Sequence, residues 1–123
     1  QPDLTVIELG GNDGLRGTPI AVIRRNLERM IVLAQEANSD VMLLGMQIPP
    51  NYGPRYTSSF RDIFADLADD YDLPLVPFLL EGIATNPALM QSDGIHPTTA
   101  AQPAMTELVL PLTIDWLQQR ASR

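Results

Sequence analysis

Three short apolar runs, separated by stretches of helical periodicity, constrain the fold of this chain more than any other feature. "LTVIEL" (4–9), "DVMLLGM" (40–46) and "LPLVPFL" (73–79) are too short for helices and read as buried strands. Between the first two, Thr18 and Pro19 have the form of an N-cap and first helical residue. Ile20, Ile23, Leu27, Met30, Ile31 and Ala34 follow at helical spacing, which predicts a helix to about residue 37. After the second run, "QIPPNYGPRYTS" (47–58) reads as a stiff loop. Ser59 with Asp62 then forms a candidate cap for a helix whose apolar set is Phe60, Ile63, Phe64, Leu67, Ala68 and Tyr71. Residues 81–103 read mostly as loop, and helical material from 99 to 119 is expected to be interrupted by Pro111. The order β-α-β-α-β-loop-α implies an α/β fold with a parallel sheet and right-handed crossovers. Ligands in such sheets sit at the carboxyl ends of the strands, where "GGND" (10–13) and "QIPPNYG" (47–53) fall, with "DGIHP" (93–97) downstream of the third.

A chain of 123 residues with 45% hydrophobic content is the size of one domain with a core of its own. Its formal net charge of −7 disfavours nucleic acid and anionic lipid as partners. With no cysteine, thiolate metal sites, disulfides and cysteine nucleophiles are excluded. No apolar run approaches the roughly 20 residues that span a bilayer, and no secretory leader pattern opens the chain.

His96 is the only histidine, three places after Asp93. A carboxylate at that spacing, with the permissive Gly94 between, can fold back on the imidazole, fix its tautomer and support its charged form. The competing reading is a solvated or core-satisfied loop histidine; Pro97 and Gly94 favour a held turn. In "GGND", the glycines let the backbone approach a ligand and Asn12 offers an amide to a developing oxyanion, although Gly, Asn and Asp are also common turn residues. The segment lacks the G-x-G-x-x-G order and the GK[ST] of phosphate loops. Asp69, Asp70 and Asp72 read as a solvated cluster rather than a metal site, and Arg24, Arg25 and Arg29 as a solvated helix face. Tyr52, Arg55 and Tyr56 either line a pocket or pack on the core.

Taken together, "VIELGGNDGLRG" and "DGIHP", in this order and about 80 residues apart, resemble the third and fifth sequence blocks of the GDSL/SGNH hydrolases. Within that superfamily the chain is most similar to the bacterial multifunctional acyl-CoA thioesterase, lysophospholipase and arylesterase group, and "MQIPPNYGPRY", "PLVPFLLEGI" and "GIHPTTAAQP" carry the resemblance through the chain. It implies a three-layer α/β/α flavodoxin-like fold, of which this chain supplies about three of five strands. It implies Asn12 as oxyanion donor, Asp93 and His96 as two members of a triad, and an acyl groove involving Gly14, Leu15, Ile48 and Pro49. Residues 14–17 take the place of a mobile loop that closes on acyl chains. The implied substrates are arylesters, acyl-CoA and lysophospholipids, with no metal or organic cofactor and a periplasmic or secreted location.

Two blocks of that family are absent: Gly-Asp-Ser, whose serine is the nucleophile, and a second block that supplies a glycine N–H to the oxyanion hole. None of Ser39, Ser58, Ser59, Ser92 and Ser122 follows a strand in a nucleophile setting. Ser58 and Ser59 read as helix caps, Ser39 as a loop residue, Ser122 as a frayed terminus, and Ser92, next to Asp93, as diverging from the histidine it would need to reach. A first strand with nothing beside it also leaves an apolar edge that proteins normally cover. The expectation is therefore the carboxyl-terminal portion (1–123) of a single hydrolase domain. A further segment of about 50 to 60 residues, βαβ-sized, would supply the serine, as part of the same domain or as a separate fragment. A catalytically incomplete α/β binding or assembly module is the alternative.

Overall fold

The computed structural model describes residues 1–123, which divide into two compact units, Gln1–Pro77 and Phe78–Arg123. The first is built on a three-stranded parallel sheet ordered β1 (Leu4–Ile7), β2 (Asp40–Leu44), β3 (Leu75–Val76). Leu4 pairs with Asp40 and Ile7 with Leu43; Leu43 then pairs with Leu75 and Leu44 with Val76. Parallel neighbours need a crossover. After a short helix α1 (Gly11–Leu15), α2 (Ile20–Glu36) makes the first crossover and α3 (Pro54–Tyr71) the second.

The two crossover helices pack on each other and on β2. Ile23, Leu27 and Ile31 recur along one face of α2, and Phe60, Ile63, Phe64, Leu67 and Ala68 form the buried face of α3. With Ile7, Val41 and Leu43 they make one core, in which Phe60 and Phe64 meet edge to face with centroids 5.5 Å apart. Successive strand residues face opposite ways, so Met42 and Leu44 lie on the other face of β2; they are buried too. β1 differs: no strand borders its outer side, and Val6 and Leu9 are 45% and 54% exposed. Ser39 is buried just before β2, its hydroxyl 2.8 Å from that of Thr5. On the surface, Arg24 meets Asp70 at 2.6 Å and the Tyr71 hydroxyl donates to Glu28 at 2.8 Å, tying α2 to α3. An exposed ion pair of this kind adds at most about 1 kcal/mol.

The carboxyl ends of β2 and β3 come together at Gly45. Its N–H donates to the Val76 carbonyl at 2.7 Å, and a Cβ there would stand 2.1 Å from the Pro77 carbonyl oxygen. Only glycine allows that approach.

In the second unit, residues 78–101 are largely irregular, with 3₁₀ turns at Pro87–Leu89 and Thr99–Ala101, and lead into α4 (Gln102–Ala121). Leu110, Ile114 and Leu117, on one stripe of α4, are each 41–52% exposed.

Several expected boundaries move, for identifiable reasons. The first strand stops at Ile7 and the second at Leu44. The third shrinks from seven residues to two, because Pro74 and Pro77 flank it and neither can donate to a ladder. α2 begins at Ile20 with Pro19 at the N-cap, and Thr18 makes no capping bond. The stretch 47–58 is not all loop. Pro50–Tyr52 is a 3₁₀ turn and α3 starts at Pro54, because Gly53 turns the chain at φ 90° and Pro54 is pre-shaped for the first helical position. Ser58, Ser59 and Asp62 therefore lie inside α3 and cap nothing. Pro111 does not interrupt α4. It and Glu107, whose carbonyl loses its usual donor, are both exposed, leaving that carbonyl within reach of water.

Candidate active site

The second unit holds Asp93 and His96 in a loop that closes on itself. Met90 and Pro97 form an antiparallel bridge, the Gln91 N–H donates to the His96 carbonyl at 2.7 Å, and the Thr98 N–H donates to Leu89 at 2.8 Å. Within that frame the Gly94 N–H donates back to Gln91 at 2.9 Å, with Gly94 at φ 68°. A left-handed residue at that point reverses the chain, and glycine adopts it without strain.

The reversal places the Asp93 carboxylate under the backbone that follows. Oδ1 accepts from the N–H groups of Ile95 (2.9 Å) and His96 (3.0 Å), and Oδ2 meets His96 Nδ1 at 2.5 Å. The ring contact first, then the backbone N–H groups of His96 and Ile95, hold the Asp93 carboxyl well below the usual carboxylate range. A carboxylate on Nδ1 makes that nitrogen the donor and leaves Nε2 as the basic one. The imidazole is 67% exposed, so that nitrogen belongs to an accessible ring.

The first unit holds the other expected residues. Gly10 at φ 107° turns the chain out of β1 directly into α1, so "GGND" is not a simple turn: Asn12 and Asp13 lie in a helix. Asn12 is exposed, whereas Gly14 is buried, with Phe60 and Ile48 so close that a Cβ would meet them at 2.7 and 2.8 Å. Leu15 and Met46 pack partly buried on the core. Ile48 is buried, 8% exposed, against Gly14 of α1; Pro49 is exposed.

Two side chains whose role the sequence left open find definite partners. The Tyr52 hydroxyl donates to the Leu15 carbonyl at 2.7 Å and the Tyr56 hydroxyl to the Thr18 carbonyl at 2.6 Å. Their rings pack on the core. The serines have ordinary settings: Ser39 is buried against Thr5, Ser58 and Ser59 are in α3, and Ser122 caps α4. Ser92 is exposed on the loop itself.

Comparison with known proteins gives a consistent result. The model of the GDSL-like lipase/acylhydrolase family matches residues 1–103. The chain is 50% identical over 111 residues to a protein of Pseudomonas aeruginosa named esterase TesA, covering 90% of this chain and 55% of that one. It is 40% identical over 107 residues to the Escherichia coli protein named thioesterase 1/protease 1/lysophospholipase L1, covering 87% of this chain and 51% of that one. Among solved structures, a psychrotrophic esterase EstA from Pseudoalteromonas sp., inhibited by monoethylphosphonate, superposes with a TM-score of 0.88 at 38% identity, over 95% of this chain and 64% of that one. The chain thus spans about half the length of the curated relatives it matches.

Proposed function

Because the chain belongs to the GDSL-like lipase/acylhydrolase family, we propose that it supplies the acid–base pair and one oxyanion donor of a serine hydrolase of acyl esters and thioesters. The Asp93–His96 pair carries this reading: a carboxylate that stays ionised is bound to Nδ1 of an accessible imidazole, in a loop with the hydrogen bonds to hold it there.

The chemistry proposed for these residues follows from that arrangement. His96 Nε2 takes the proton of a serine hydroxyl as the oxygen attacks the acyl carbon, and Asp93 stabilises the imidazolium that forms. Asn12 donates its side-chain amide to the oxyanion of the tetrahedral intermediate. The imidazolium then returns the proton to the departing alcohol or thiol; water repeats the sequence and releases the acid. No metal or organic cofactor enters these steps. The names of relatives, the Escherichia coli protein and an arylesterase of Vibrio mimicus 47% identical over 108 residues, point to arylesters, thioesters and lysophospholipids as the substrate class. A periplasmic or secreted location belongs to the same proposal and rests on the family resemblance; no helix here is long and apolar enough to cross a membrane.

The nucleophile is proposed to come from a segment carrying Gly-Asp-Ser. The outer edge of β1, with Val6 and Leu9 exposed beside it, supports a further parallel strand there. Labelling the complete hydrolase with a fluorophosphonate tests the reading, and the label is expected on the Gly-Asp-Ser serine. Modification of Ser39, Ser58, Ser59, Ser92 or Ser122 would overturn it, as would undiminished ester hydrolysis by His96→Ala. If no Gly-Asp-Ser segment accompanies the chain, the binding-module alternative gains support from the way these five serines are placed.

A further inference from the structure

α1 has five residues, too few to persist by its own hydrogen bonds. Its position must therefore be imposed from outside. At its amino end the chain is turned by Gly10, and along its length Gly14 is seated on Phe60 and Ile48. At the carboxyl end, the last four carbonyls of a helix have no partner within it. Here three are taken by local N–H groups: Asn12 by Arg16, Asp13 by Thr18 and Gly14 by Gly17, each at 3.0 Å. The fourth, Leu15, is taken by the Tyr52 hydroxyl, and Thr18, two residues before α2, by the Tyr56 hydroxyl.

We propose that Tyr52 and Tyr56 are positioning residues for Asn12, gripping the two ends of the 15–18 turn so that α1 presents the Asn12 amide in one place. The proposal rests on the reading of Asn12 as oxyanion donor and adds what holds it. The two tyrosines come from the 3₁₀ turn and the first turn of α3, on either side of Gly53 and Pro54, so their spacing is set by the start of α3 rather than by the loop they hold. Burial first, then the nearby Asp13 and Tyr52, pushes the Tyr56 phenol above its ordinary value, so it remains a donor into the alkaline range. Breaking these two side-chain bonds would free the Leu15 and Thr18 carbonyls without unfolding either crossover helix. Oxyanion donors act through placement, and errors of about 1 Å cost up to 10²-fold in rate.

Tyrosine-to-phenylalanine changes test this, since they remove the hydroxyl and keep the packed ring. In the complete hydrolase, Tyr52→Phe/Tyr56→Phe is expected to lower kcat on p-nitrophenyl butyrate about tenfold, with KM within about twofold. Amide exchange at Arg16, Gly17 and Thr18 should accelerate. Asn12→Ala should lower kcat about 10²–10³-fold, and adding both tyrosine changes to it should cost nothing more, because the grips act only through that amide. A double-phenylalanine enzyme with wild-type kcat, or losses that multiply in the triple variant, would overturn the positioning role. Wild-type turnover by Asn12→Ala would instead overturn the oxyanion reading beneath it. If the double variant does not fold, Tyr56→Phe alone reads the same quantities.

Discussion

Asp93→Asn separates the charge of the loop from its shape. In the native loop Oδ1 accepts from the N–H groups of Ile95 and His96 at 2.9 and 3.0 Å, while Oδ2 faces His96 Nδ1 at 2.5 Å. Asparagine keeps an acceptor at Oδ1, so both backbone bonds survive, and the Gln91-to-His96 bond that closes the loop is untouched. In place of Oδ2 it presents an NH₂ donor to Nδ1. Two donors cannot share a bond, so Nδ1 becomes the acceptor and the single proton of the neutral ring moves to Nε2. That nitrogen can then no longer accept a proton from a hydroxyl. In serine hydrolase triads this change of tautomer costs about 10⁴ in kcat. Here the aspartate and histidine side chains are 42% and 67% exposed, so water competes for Nδ1, and a loss on the order of 10³ to 10⁴ is expected. The assay is p-nitrophenyl butyrate hydrolysis by the complete hydrolase, with KM and unfolding midpoint unchanged and imidazole ¹⁵N shifts reporting the proton on Nε2. A kcat within about threefold of wild type would refute the reasoning; so would a large loss in which the ring still carries its proton on Nδ1.

Two further predictions concern stability and pH. Gly45→Ala places a methyl group 2.1 Å from the Pro77 carbonyl oxygen, where only backbone can yield, and strains the bond to Val76. A loss of about 3 kcal/mol is expected in urea unfolding, and an unchanged midpoint would show that the strand ends are looser than described. Asp93 is a carboxyl whose folded value is depressed, so its contribution is present above the ordinary carboxylate value of about 3.9 and is lost only as pH falls through the lower folded value. Its side-chain ¹³C resonance should stay flat from about pH 6 to about pH 3, and His96→Ala, which removes the largest cause, should bring the inflection upward. An inflection near 4 in the unaltered protein would contradict the geometry.

What the sequence revealed and what it concealed divide along chain separation. Asp93 and His96 were legible because three residues with a glycine between them limit what the loop can do. The crossover helices were legible because Ile23, Leu27 and Ile31, and then Phe60, Ile63, Phe64 and Leu67, repeat at the helical period. α1 was not, since "GNDGL" has no helical signature of its own and is helical because Gly14 seats on residues 34 and 46 places away. The start of α3 was hidden for a different reason: Gly53 and Pro54 look like breakers, yet a proline at the first helical position begins a helix as readily as one inside it ends one. The third strand contracted because apolarity alone does not build a ladder when Pro74 and Pro77 lack the donors. Tyr52 and Tyr56 looked like generic loop aromatics because the carbonyls they reach lie 37 and 38 residues upstream.

The same separations imply an order of assembly. The bond between Asp93 and His96 closes a loop of three residues, at little entropic cost and without waiting for the sheet. The bonds holding the helix of Asn12 close loops of 37 and 38 residues and form only once a crossover helix has docked. The chain can therefore hold the Asp93–His96 pair before the helix of Asn12 has been fixed in place. Under mild denaturation the losses should run in reverse, the helix of Asn12 loosening first while the histidine keeps its partner.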